Sequence, residues 1–375
     1  MRSDYFNEPL RRRELLQGGA GLALALGLAG CGVGDEAGSS ATPAPAKKTA
    51  AKPDGDLVYF NWSEYLDPKL IKDFEKRYGV KVRESNFDSM NGMMAKLRSG
   101  NRYDVIFPTA DWAQRLIKGN QLLRFDKAQL KNSEAVYDYF AKPWYDPDAD
   151  HTVPYAMYAT GIIYRADKIS DMAGSWNDMV HPGAQGRAYL LDDFQEVIGA
   201  GNLVSGADLN SVDEADVEKA KEWALGVKPK LRGFSTDDIQ NMVSGNAWIH
   251  HGWNGDVVNI RNQVDKPESY TFQKCSEGIP VGADCFAIPA NAEHPGTALT
   301  FMNFILDPEN ASQNIEYMGY PMPYTGPDET FAGLVKDDAS INVTVADLEN
   351  GQQFGDLGTE GRRLWDRTWT EIKAG

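Results

Sequence analysis

The chain reads as an α/β protein of two lobes, and three observations carry that reading. From residue 56 onward, short β-rich runs alternate with segments of helical periodicity, the pattern of βαβ units and a parallel sheet. A long extended stretch from residue 153 interrupts the alternation, and a second α/β set follows it. Setting aside an N-terminal segment of different composition leaves about 320 residues, enough for two lobes of ordinary domain size.

In order, DLVYFNW (56–62) is a β-rich apolar run. PKLIKDFEKRYG (68–79) places Leu70, Ile71, Phe74 and Tyr78 on one helical face, with Pro68 at the start and Gly79 as the stop. VKVRESNF is a second strand, MNGMMAKLRSG a second helix, YDVIFP a third strand and DWAQRLIKGN a third helix. VPYAMYATGIIYR, with Gly161 inside it, suits a strand that crosses between lobes. Beyond it, RAYLLDD and AWIHHGW predict strands; EADVEKAKEWALGVKPKL, DDIQNMVSG and GDVVNIRNQV predict helices. CFAIPANA opens a further strand, and PGTALTFMNFILDPENASQNIEYMG predicts one strong helix.

The N-terminus reads as an export signal. Arg11, Arg12 and Arg13 precede Leu15 and Leu16, then a small apolar run too short to span a bilayer. The order resembles a twin-arginine signal, with a general secretory signal as the alternative. LAGC (28–31) resembles a bacterial lipoprotein cleavage box, which predicts a signal peptide over 1–30 and lipidation of Cys31. Residues 31–55, built of Gly, Ala, Ser, Pro and Lys, predict a flexible tether. Residues 1–30 hold four Arg and three acidic residues, so the formal charge shifts from −16 for the whole chain to −17 from Cys31 on. That balance argues against nucleic acid and toward cations. Cys275 and Cys285 then remain, and in an exported chain they are expected to pair as a disulfide worth about 2.7 kcal/mol.

Several patterns carry no chemistry. DPDADH (146–151) imitates the start of a calcium loop but has His151 and Met157 where that loop needs Gly and Glu, and reads as a polar turn. His250 and His251 are strand neighbours that point to opposite faces. No HExxH, GxSxG, P-loop or GxGxxG occurs. Neither a metal nor a cofactor is expected.

Carboxylates stand beside aromatic rings at the ends of several expected strands: Trp62, Glu64 and Tyr65; Asp193 and Glu196; Trp253 and Asp256; Asp284. Tyr320 in GYPMPY adds a further ring. In open α/β sheets, ligands lie beyond the carboxyl ends of strands. The combination suits an extended organic cation, whose ammonium groups carboxylates neutralise. Aromatic faces would hold both the charges and the methylenes between them. Asp193 and Glu196 also fit a helix capping box, and the sequence leaves both roles open.

YFNWSEYL, YDVIFPTADW, LLDDFQEV, WNGD, CFAIPANA, NFILDPE, GYPMP and LENGQ, in this order and spacing, resemble the periplasmic spermidine/putrescine-binding proteins of polyamine ABC importers over residues 56–375. The resemblance implies the two-lobed periplasmic-binding-protein fold, with the ligand cleft between lobes joined by crossing strands. The lobes would be 56–158 plus 284–328 and 159–283 plus 329–375. It implies ligand contacts at Trp62, Ser63, Tyr65, Thr109, Asp193, Glu196, Trp253, Asp256, Asp284 and Tyr320. The partners implied are a polyamine (putrescine or spermidine) and the permease subunits of an ABC importer. The protein would be a monomer, periplasmic or on the cell surface, anchored to the membrane at Cys31, and not an enzyme.

Three positions depart from the family pattern. Gly282 stands where a large aromatic is usual, Asp111 where the spermidine branch often has Tyr, and Phe354 where that branch has Gln. These departures point to another cationic or zwitterionic amine as an alternative ligand. An exported hydrolase working through paired carboxylates is a second alternative, for which no nucleophile motif is present.

Overall fold

A computed structural model describes residues 49–336 and 338–375. The export signal, Cys31 and the tether up to residue 48 lie outside the described residues.

Nine strands form the sheet: β1 (Leu57–Trp62), β2 (Val82–Phe87), β3 (Val105–Ile106), β4 (Thr152–Arg165), β5 (Ala188–Leu190), β6 (Gly233–Phe234), β7 (Ile249–Trp253), β8 (Tyr270–Gln273) and β9 (Val281–Ala287). Their order is β2-β1-β3-β9-β4-β7-β5-β6, with β8 paired to β4. The α-helices are α1 (Pro68–Tyr78), α2 (Met90–Arg98), α3 (Ala110–Lys118), α4 (Phe194–Val204), α5 (Glu214–Val227), α6 (Asp238–Val243), α7 (Asn254–Arg261), α8 (Pro295–Ile305), α9 (Pro308–Met318), α10 (Asp328–Val335), α11 (Val345–Asn350) and α12 (Gly358–Ala374).

Local chemistry sets the helix ends. Asp67 accepts from the Lys69 N–H at 2.8 Å, Pro68 fills the first helical position, and Gly79 closes α1 at φ 69°. The expected single helix over 295–319 is instead two. Asp307 caps a new helix and Pro308, which has no N–H to continue α8, begins α9.

The parallel pairs β1–β2, β1–β3, β5–β6 and β5–β7 flank an antiparallel centre of β9, β4 and β7. β4 makes the crossing. Its first half, Thr152–Ala159, pairs with β9, and its second, Thr160–Tyr164, with β7. Gly161 sits at that transfer, where a Cβ would lie 2.4 Å from the Gln273 carbonyl oxygen. The largest hydrophobic cluster runs without a break from Leu57 and Phe74 through Tyr155 and Phe286 to Val257 and Ile315. A second cluster gathers Trp176, Leu190, Val197, Ala224 and Trp365 around β5 and α5.

Two expectations are corrected. Cys275 and Cys285 are both free thiols. β9 carries the chain from one cluster to another between them: Cys275 packs with the Trp176 cluster, Cys285 with Ala110, Ala113 and Tyr145. The tether expected up to residue 55 is also too long. The Asp54 carboxylate accepts from Gly296 N at 3.0 Å and Thr297 N at 2.9 Å, tying the chain to the N-terminus of α8 before β1 begins.

Candidate ligand-binding cleft

The ends of β1, β3, β5 and β7 each lead into a helix or turn that faces a single cavity of about 270 Å³. All ten residues singled out from sequence line it: Trp62, Ser63, Tyr65, Thr109, Asp193, Glu196, Trp253, Asp256, Asp284 and Tyr320. They are brought together from six separate stretches of chain.

Four carboxylates share a mode of support. Asp111, Glu196, Asp238 and Asp256 occupy the first turns of α3, α4, α6 and α7. The positive end of a helix dipole favours negative charge there. Asp284 comes instead from the middle of β9, opposite Ala156 of β4 and bridged to Thr109.

Hydrogen bonds fix their orientations. Tyr65 donates its hydroxyl to Asp284 Oδ2 at 2.7 Å, and Tyr320 donates to Asp256 Oδ1 at 2.7 Å. The two phenol rings meet edge to face, centroids 5.2 Å apart. Thr109 Oγ1 donates to Asp111 Oδ1 at 2.5 Å, and Gln195 Nε2 to Asp111 Oδ2 at 3.3 Å. Glu196 Oε1 accepts from Thr160 at 3.1 Å and from the Trp253 indole at 3.4 Å. Asp193 caps α4 through Oδ1, which accepts from the N–H groups of Gln195 and Glu196. The reciprocal half of a capping box is not made, because Glu196 turns toward Thr160 and Trp253. Trp62 and Trp253 face each other across the opening, 6.5 Å between centroids and tilted by 55°.

The acids of the cavity are buried enough to be disturbed. Burial, with the neighbouring Asp193 charge, pushes Glu196 up to about 8. Burial outweighs the Tyr65 hydrogen bond at Asp284 and raises it to about 7. Asp256 rises to about 6 through burial, and Asp238 rises well above the carboxylate range through burial and the adjacent Asp256. Asp284 Oδ1, Glu196 Oε2 and Asp238 Oδ2 are buried without a hydrogen-bond partner among the described residues. Nine of the described lining residues are Asp or Glu, seven are aromatic, and none is Lys, Arg or His. Such a wall is made for positive charge on an apolar frame.

Sequence reasoning missed Asp238 and Tyr158 and treated Asp111 only as a departure. Tyr158 lies opposite Gly282 in the β4–β9 pairing, and a Cβ on Gly282 would lie 2.5 Å from its hydroxyl. The space in front of Gly282 is taken by the Tyr158 ring of the neighbouring strand. Outside the cavity, Asp146, Asp150 and His151 come together in the 146–151 turn. There, Asp146 Oδ2 accepts from His151 N and Thr152 N, while Asp150 pairs with Arg124. His250 stacks on Tyr189 and His251 packs edge-on to Trp176, and burial lowers both.

The model of the bacterial extracellular solute-binding protein family matches residues 69–340. The chain belongs to that family. This solute-binding protein is 30% identical over 324 residues to the spermidine/putrescine-binding periplasmic protein of Escherichia coli (strain K12), covering 85% of this chain and 92% of that one. It is 30% identical over 348 residues to a putrescine/cadaverine-binding protein of Pseudomonas aeruginosa, with 88% and 95% covered. Among solved structures, a putative spermidine/putrescine ABC transporter from Listeria monocytogenes aligns with a TM-score of 0.79 at 27% identity, covering 85% of this chain and 99% of that one.

Proposed function

We propose that this protein captures a polyamine in the cleft and delivers it to the permease of an ABC importer. The observation that carries the proposal is the lining itself: nine acidic and seven aromatic residues with no basic one among those described. The names of its relatives point to the same ligand class. Asp284, Glu196 and Asp256 neutralise the ammonium groups, with Asp193 adding negative potential. Trp62, Tyr65, Trp253 and Tyr320 hold the chain between them, and Ser63 and Thr109 complete the polar rim.

The two lobes assigned above, 56–158 with 284–328 and 159–283 with 329–375, close on the ligand along β4. Ligand touching both shifts the open–closed equilibrium by its extra affinity for the closed form. The protein acts as a monomer, lipidated at Cys31 on the outer side of a membrane, and releases its ligand unchanged. Asp111, Gly282 and Phe354 reshape the box and set which amine fits best.

Uptake of labelled putrescine and spermidine by cells lacking this protein tests the proposal. Loss of uptake that the intact chain restores supports it, whereas undiminished uptake of both in cells with no second importer contradicts it.

A further inference from the structure

His251, in the middle of β7, is fully buried, and neither of its ring nitrogens has a hydrogen-bond partner among the described residues. Strand alternation puts it on the same face of β7 as Trp253. Trp253 and Thr160, paired across β7 and β4, both donate to Glu196 Oε1, at 3.4 and 3.1 Å. The other oxygen, Oε2, is buried without a hydrogen-bond partner among the described residues, and His251 Nε2 faces it at 3.9 Å. That gap is about 1 Å longer than a hydrogen bond. Each orphaned atom carries a desolvation cost, and one small closing movement removes both. The Trp176 ring packs edge-on against the imidazole, centroids 4.9 Å apart, and limits how far it can turn.

Burial, with His250 beside it, lowers His251 to about 3, so the imidazole is neutral and offers an N–H without adding charge to the cleft. The titratable groups near the pair are Asp193 on α4, Asp111 on α3, Tyr158 on β4 and His250 on β7. Arg362 of α12 acts on Asp193 and Asp111. Asp238 packs at Gly252, on the opposite face of β7, and Asp178, beside Trp176, accepts from the N–H groups of residues 173–175. None of these groups donates to Glu196 Oε2.

We infer that His251 is a positioning residue for ligand capture: its Nε2–H donates to Glu196 Oε2 once that carboxylate has lost its proton to solvent, and the imidazole thereby sets the pH at which the cleft takes up an amine. The inference rests on the polyamine reading and deepens it. His251 is not part of the cavity wall and acts only through Glu196. Its ring proton then sits on Nε2, and Nδ1 keeps its lone pair. A protonated Glu196 can make only the weaker neutral bond to the ring, so the pair favours the ionised acid.

Calorimetric titration with putrescine and spermidine from pH 5.5 to 8.5, on the wild type, His251→Met and His251→Gln, tests it. His251→Met, which lacks the donor, should bind about tenfold more weakly at pH 6 and less than about threefold more weakly at pH 8.5, its profile displaced to higher pH. His251→Gln, which keeps an N–H donor, should follow the wild type. Asp284 titrates alike in all three proteins and cancels in the ratios. An unchanged His251→Met profile, or equal losses across the range, overturns the inference, because a merely structural role would not move the midpoint. A wild type that binds neither amine overturns the polyamine reading, and the inference with it. Melting curves establish that the variants fold. If His251→Met does not, the imidazole nitrogen resonances of the wild type decide. A proton on Nε2, with a shift that follows Glu196 ionisation, is expected, and a proton held on Nδ1 throughout overturns the inference.

Discussion

Tyr65 and Asp284, 219 positions apart in the chain, meet at 2.7 Å, the phenol donating to the carboxylate. The contact joins the turn after β1 to the middle of β9. It orients the acid we place at the centre of the ligand. Asp284→Asn should weaken polyamine binding by well over about tenfold, since a desolvated ammonium loses its paired charge. Tyr65→Phe should cost roughly tenfold, the scale of a hydrogen bond to a charged group. Calorimetry on both variants checks this, and wild-type affinity in Asp284→Asn would remove that residue from the site.

The acids of the cleft should make binding pH-dependent. Glu196 is raised to about 8 and Asp284 to about 7, both through burial, so each is protonated in the ligand-free protein below those values. A bound ammonium needs them ionised. Affinity should therefore tighten by roughly tenfold or more between pH 5.5 and 8.5, while amines remain charged. A flat profile for the wild type would remove these two acids from the contact.

The same shifts fix a stability trend of opposite sign. A folded-state value raised above the unfolded one means the folded protein binds more protons between the two. Stability from these groups is complete below the ordinary carboxylate range and is lost as pH rises through about 7 and 8. Their contribution should lower the melting temperature of the ligand-free protein across that window, while saturating polyamine removes the fall. Melting curves of wild type and Glu196→Gln, with and without ligand, report it. The variant should show a shallower fall, and an identical slope would contradict the assignment.

Gly282 and Tyr158 are coupled by space. Restoring an aromatic residue at 282 would drive its Cβ within 2.5 Å of the Tyr158 hydroxyl. Gly282→Phe alone should destabilise by about 1–3 kcal/mol, as overpacking does. Tyr158→Ala in the same chain should recover most of that loss. Denaturant melts of the two single variants and the double variant measure the coupling, and additive losses would show that the rings do not compete.

Much of this arrangement could be read from the sequence because the signals are local. Asp67-Pro68 and Gly79 mark the ends of α1 within a dozen residues, and most of the expected cleft residues stand at or just beyond strand ends, where α/β sheets present side chains, Asp284 within β9 and Tyr320 after α9 being the exceptions. What could not be read depends on register or on distance. Tyr158 takes the space in front of Gly282 only because β4 and β9 pair as they do. Asp238 in DDIQNMVSG is indistinguishable from an ordinary acidic helix start until Gly252 is seen beneath it. The break at Pro308 was available in the sequence but outweighed by the apolar periodicity around it.

Cys275 and Cys285 teach the opposite lesson, since short spacing suggested a bond that strand direction forbids. The protein from residue 49 on should carry two free thiols, both alkylated after unfolding without reductant. Mass spectrometry showing an alkylation-resistant pair would contradict the fold around β9.

The most direct measurement is calorimetric titration of the purified ligand-free protein with putrescine, spermidine, spermine and agmatine in turn. Submicromolar binding of at least one is the expected result. A folded, ligand-free protein that binds none of the four would contradict polyamine capture.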